Sequence, residues 1–149
     1  MLNRGEFFEF SSNEDFKVEA DNPILLVQYM TGSSTTRSPN DGDPSMLQTV
    51  PARQFRRDYI FLVPDTYERD WITVTYPDGA QVMLDDEPMN LGPGRPIGAT
   101  GFNVLRTRVE DGGHTVTSDV PVGVTVYGYD YNISYAYPAG LDLSEFGQD

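Results

Sequence analysis

Apolar and polar residues alternate with a period of two along most of this chain. Glu6-Phe7-Phe8-Glu9-Phe10, Phe16-Lys17-Val18-Glu19-Ala20 and Trp71-Ile72-Thr73-Val74-Thr75-Tyr76 each set different residue types on the two faces of an extended segment. That is the pattern of a half-buried β-strand. Residues 24–30, 59–63, 81–84, 102–109 and 122–129 add further candidates, rich in Val, Ile, Thr, Tyr and Phe, the residues that pack well on a pleated surface. No window carries a sustained apolar stripe at helical spacing. The best helical candidate, residues 45–57, is broken by Pro51 and predicts no more than a turn around Gln54-Phe55-Arg56. Pro77-Asp78-Gly79 predicts a hairpin between 71–76 and 81–85, and Asp111-Gly112-Gly113 a connection from 102–109 into the next strand. Val18, Ile24, Leu26, Ile60, Leu62, Trp71, Val116, Val124 and Val126 are the expected core.

A repeat sharpens this picture. Residues 15–29 superpose without a gap on 113–127, placing Val18 on Val116, Asp21 on Asp119, Pro23 on Pro121 and Tyr29 on Tyr127, a constant offset of 98 (119 − 21). Each copy reads as strand, Asp-x-Pro corner, strand, because Asp can bond its own backbone at a corner and Pro fixes φ after it. The expectation is one domain over residues 1–149: an all-β, antiparallel β-sandwich or jelly-roll-like fold with two related halves. Two segments, 31–44 and 85–101, read as long loops, and 144–149 as a frayed tail.

Charge changes the picture more than composition does. The formal net charge is −13, with nine Arg and one Lys against 23 acids. That excludes nucleic acid, whose affinity comes from Lys and Arg neutralising phosphates, and disfavours anionic membranes. No apolar run approaches the roughly 18 residues of a membrane span, and no secretory signal follows Met1, as expected for a domain cut from a longer protein. With no cysteine, the fold rests on its core without disulfides.

Ordered blocks along nearly the whole chain resemble a known family, the N-terminal domain of IgGFc-binding protein. They are Gly42-Asp43-Pro44-Ser45-Met46 with Gln48 and Val50-Pro51, and Tyr59-Ile60-Phe61 with Pro64 and Tyr67. Ile97-Gly98 and Gly113-His114 follow, then Val116, Ser118-Asp119, Pro121 and Val126-Tyr127-Gly128-Tyr129. The last block is Ser134-Tyr135-Ala136-Tyr137-Pro138-Ala139-Gly140. The resemblance implies an all-β, non-catalytic extracellular module used in adhesion or recognition. The cysteine-free, Arg-skewed composition points to a bacterial member.

Candidate sites follow from side-chain chemistry. Tyr127, Tyr129 and Tyr131 share a face at period two, and Tyr135 and Tyr137 lie on the neighbouring strand. Together they could form an aromatic platform for a sugar ring or a protein partner, or a half-buried packing ladder. Asp41 with Asp43, Asp85-Asp86-Glu87, and Asp142 with Glu145 are loop carboxylates that could hold a structural calcium or be simple solvated charge; no other cofactor is expected. His114, the single histidine, falls opposite Phe16 in the repeat and reads as a packing position. Arg53, Arg56 and Arg57 should pair with the protein's own carboxylates. Asn132-Ile133-Ser134 fits a glycosylation acceptor, a coincidence in a bacterial chain. The expected function is a non-enzymatic, extracellular or cell-surface module binding a surface protein or glycan. Alternatives are a carbohydrate-binding module accessory to an enzyme, or a stalk module without a ligand. No oligomeric state is signalled.

Overall fold

A computed structural model of the chain describes residues 2–33 and 42–143. Its strands are β1 (Val27–Tyr29), β2 (Met46–Gln48), β3 (Arg56–Val63), β4 (Arg69–Pro77) and β5 (Val82–Leu84), then β6 (Glu87–Pro88), β7 (Arg95–Pro96), β8 (Phe102–Val109), β9 (Gly112–Asp130) and β10 (Ile133–Pro138). One 3-10 turn, Ala52–Gln54, is the only helical element among the described residues. Every strand pairing is antiparallel.

β9 organises the molecule. Its first half pairs with β3 and β5, giving a sheet ordered β3-β9-β5-β6; its second half pairs with β4 and β10, giving β10-β9-β4-β8-β7. The strand changes sheet at Asp119-Val120-Pro121, where the β3 register also slips, between Arg56 and Asp58. Ser118 Oγ donates to the Val120 carbonyl there, and Pro121 has no N–H to lose. Such bends are how one strand makes the corner of a sandwich. Between the sheets lie Val63, Ile72, Val74, Val116, Val122 and Val126, each at most 1% exposed.

The all-β antiparallel sandwich is as expected, but several local readings change. Residues 113–127 form one continuous bent strand, not strand–turn–strand, whereas of residues 15–29 only Val27–Tyr29 is strand. The repeated sequence therefore does not make two equivalent units. Segments 6–10 and 16–20 form no strand, and Val18 and Ile24 are exposed; strand-forming sequence needs a neighbouring strand to realise it. In β3 the expected facing is reversed: Tyr59, Phe61 and Val63 point inward, while Ile60 and Leu62 are 84% and 64% exposed. An all-apolar run carries no alternation to fix its facing. Trp71 lies on the outer face of β4, since Ile72, Val74 and Tyr76 take the inner one. Pro77-Asp78-Gly79 does not reverse the chain, because β4 and β5 both run antiparallel to β9. It carries the chain round the corner instead. Segment 85–101 contains β6 and β7. The expected tail, 144–149, lies outside the described residues.

Candidate binding face

Four of the five tyrosines divide between two faces, and the fifth, Tyr131, lies in the turn between β9 and β10. Cross-strand partners share a face, and Tyr129 pairs with Ser134 and Tyr127 with Ala136, while Tyr135 pairs with Gly128 and Tyr137 with Val126. Since Val126 is fully buried, Tyr135 and Tyr137 face the core side, and Tyr127 and Tyr129 face outward. A single five-ring platform does not exist.

The inward pair is architectural. Tyr135 packs edge-on against Tyr67, with ring centroids 4.6 Å apart, and stacks with Tyr137 at 6.1 Å. Its hydroxyl donates to Asp70 Oδ1 at 2.6 Å. Asp70 is 3% exposed; burial raises its pKa above the ordinary carboxylate value, against the Tyr135 hydrogen bond. Burial first, then Asp70, pushes the Tyr135 hydroxyl far up. A Cβ at position 128 would run into both the Tyr135 ring and the Asp70 carboxylate, which explains Gly128. The Tyr137 hydroxyl donates to the Leu62 carbonyl on β3, stitching one seam between the sheets.

The outward face carries the recognition chemistry. Tyr127 and Tyr129 meet edge to face at 6.1 Å. Beside them on β4 are Trp71, paired with Tyr127, and Arg69, paired with Tyr129; Arg106 and Arg108 lie opposite Thr73 and Trp71 on β8. The Arg108 guanidinium stands 5.7 Å from the Trp71 ring centre and donates to the Glu68 carbonyl at 3.2 Å. Burial raises the Tyr127 pKa, partly offset by a Thr73 hydrogen bond and the Arg106 charge, so the phenol stays neutral. Gly42, at φ +78°, lays its backbone on the Tyr129 ring, and the Asp43 carbonyl accepts the Ser134 hydroxyl. One end of segment 31–44 is thereby seated on this face. Tyr131, 70% exposed, is in the two-residue turn Tyr131-Asn132 that joins β9 to β10. Trp71, Arg106 and Arg108 escaped the sequence reading, although Arg106-x-Arg108 and Arg69-x-Trp71 each hold period-two spacing.

Of the candidate calcium carboxylates, Asp43 borders this face through its backbone, and Asp85, Asp86 and Glu87 lie at the β5–β6 turn. Asp85 and Asp86 form a two-residue turn between the paired residues Leu84 and Glu87, with φ of 53° and 65°. Two left-handed residues match the twist of a tight hairpin. Asp85 is engaged by His114: Oδ2 meets Nδ1 at 2.6 Å, Oδ1 accepts the Thr115 N–H at 2.8 Å, and His114 Nε2 reaches the Glu110 carbonyl at 2.7 Å. His114 stacks on Phe61 at 5.6 Å, a packing position as expected. Asp41 and Glu145 lie outside the described residues. Among the described residues no three His, Asp or Glu side chains gather as a metal cage. Arg56 pairs with Asp58 at 2.9 Å, as expected of that basic spot.

The structure thus defines a β-sandwich module with an aromatic and arginine-bearing outer face. The chain belongs to the family described as IgGFc binding protein, whose sequence profile matches residues 1–128. That span ends within β9, after Tyr127. Comparison with curated proteins and with solved structures returned no similar chain. No helix among the described residues is long and apolar enough to cross a membrane.

Proposed function

We propose that this domain is a non-enzymatic recognition module of a secreted or cell-surface protein. It contacts a surface protein or glycan through the outer face of Tyr127, Tyr129 and Trp71, with Tyr131 at the adjoining hairpin tip. One observation carries this reading: three large aromatic side chains stand side by side on the face of a rigid sheet, turned away from the core. Aromatic rings offer large contact area at low entropic cost, and they dominate binding energy where they cluster. Membership of the IgGFc binding protein family supports a binding role, and the backbone of Gly42 and Asp43 borders the same surface.

The test is a glycan array and a pull-down from native surface material, with wild type, Tyr127→Ala, Tyr129→Ala, Trp71→Ala and Tyr131→Ala. Loss of the order of tenfold per central ring is expected, about 1.4 kcal/mol. Tyr137→Phe, on the opposite face, should bind as wild type. Equal binding by every folded variant would move the interface elsewhere.

A further inference from the structure

The second seam of the sandwich is open. β7 pairs with β8 only at Asn103 and Val104. The Phe102 carbonyl accepts the Ile97 N–H on that edge, and Pro77, opposite Phe102 on β4, has no N–H to give. Period two therefore turns the backbone N–H and C=O of Arg106 and Arg108 to the same edge, beyond the end of β7. Among the described residues no strand lies there. The groove between this edge and β5–β6 is lined by Leu84, Met89, Leu105, Arg106 and Thr107 among others, and Arg95 and Arg108 share the face of Arg106 on the same edge.

The same molecule holds an unpaired strand sequence. Residues 6–10 form no strand or helix, with Phe7 and Phe8 86% and 74% exposed. Phe8 and Phe10 lie at period-two spacing and stack at 5.8 Å, and Phe10 rests on Phe16 at 5.0 Å. The arm is fastened at the groove's rim. Both Asp15 carboxylate oxygens meet the Arg106 guanidinium, Oδ2 at 3.1 Å from Nη1, and Arg95 is 3.7 Å away.

We propose that the N-terminal arm of a second copy of this chain adds residues 6–10 as a strand to the open edge of β8. Phe8 and Phe10 fill the groove, and Glu9, on the alternate side, faces Arg106 and Arg108. Main-chain bonds supply affinity and alternate side chains supply register in such strand addition. Acidic residues Glu6, Glu9 and Glu14 on the arm are opposite in charge to the three arginines. The chain alone leaves ring cluster and groove apart although Asp15 holds them close, so exchange between copies satisfies both. Because the arm's root sits beside the groove, two copies exchange arms reciprocally across a two-fold axis, which closes the assembly as a dimer.

The experiment uses the full chain. Sedimentation should show a dimer at micromolar concentration, and Phe8→Glu/Phe10→Glu should be monomeric with an unchanged circular dichroism spectrum. The chain lacks cysteine, so mixing a Phe8→Cys chain with a Thr107→Cys chain should give a disulfide-linked heterodimer. A double-cysteine chain at low concentration should not close on itself. A wild-type monomer, a dimer that survives the Phe8→Glu/Phe10→Glu change, or an efficient intramolecular disulfide would each overturn the proposal. The last would seat the arm in its own groove.

Discussion

Asp70 is a carboxylate that the fold buries and then supports with one tyrosine hydroxyl. Tyr135→Phe keeps the ring and removes that donor, so it should cost roughly 1–3 kcal/mol, the penalty of an unsatisfied buried acceptor. Equilibrium urea unfolding measures it. Asp70→Asn keeps an acceptor for Tyr135 and removes the charge. The folded pKa of Asp70 is raised, so ionisation works against the folded state once the pH passes the unfolded value. Asp70→Asn should therefore unfold at a higher temperature than wild type near pH 7, with the gain shrinking as the pH falls toward about 4. Calorimetry across pH checks it, and a lower melting temperature at pH 7 would show that the ionised carboxylate contributes net stability.

At the scale of elements, facing and pairing decide what each residue does. The facing of β3 predicts that Ile60→Ser changes stability by under about 0.5 kcal/mol, whereas Phe61→Ala costs about 3–5 kcal/mol. The reverse order would restore the facing that its sequence alone suggests. The His114–Asp85 contact ties the start of β9 to the β5–β6 turn and predicts a pH window. Burial lowers the His114 pKa, but the Asp85 and Glu110 hydrogen bonds outweigh it and leave it raised. Burial likewise raises that of Asp85, but His114 and Thr115 bring it below its ordinary value. A raised imidazole contributes stability below its unfolded pKa and loses it as pH rises through the folded one; a lowered carboxyl does so above its unfolded pKa and loses it in acid. The contact should thus stabilise most between the two titrations, and His114→Ala should flatten the melting-temperature profile there.

The sequence made β4, β8 and the second half of β9 legible, because polar residues alternate with their core positions. It misled where alternation was missing, as in β3, and where a partner was missing, as in segments 6–10 and 16–20. The tyrosine faces were hidden by one turn. Two residues between paired positions 130 and 133 match odd numbers on β9 with even numbers on β10. Odd-numbered tyrosines on the two strands must then point opposite ways. Only half of the proposed platform was therefore readable, and Trp71 was placed in the core on apolarity alone.

For the whole molecule, the net charge of −13 sets long-range behaviour more than any single contact. Association with a basic partner should slow as salt rises, since screening shortens the field to about 8 Å near 0.15 M. Stopped-flow rates between 20 and 300 mM salt measure this, and a flat profile would assign the encounter to the aromatic face alone.

One strand shared by both sheets also has a consequence for the order in which the chain becomes a protein. β3, β4 and β5 all find their partner in β9, which is made after them. As synthesis proceeds from the N-terminus, only β4 with β8 and the short β1–β2, β5–β6 and β7–β8 pairs can form before residue 112. The apolar sides of β3 and β4 must wait for it. The nascent polypeptide therefore stays open until its last quarter emerges, and then both halves close together. A chain stopped before β9 should be digested by protease as an unfolded one, and adding residues 112–130 should convert it in a single step.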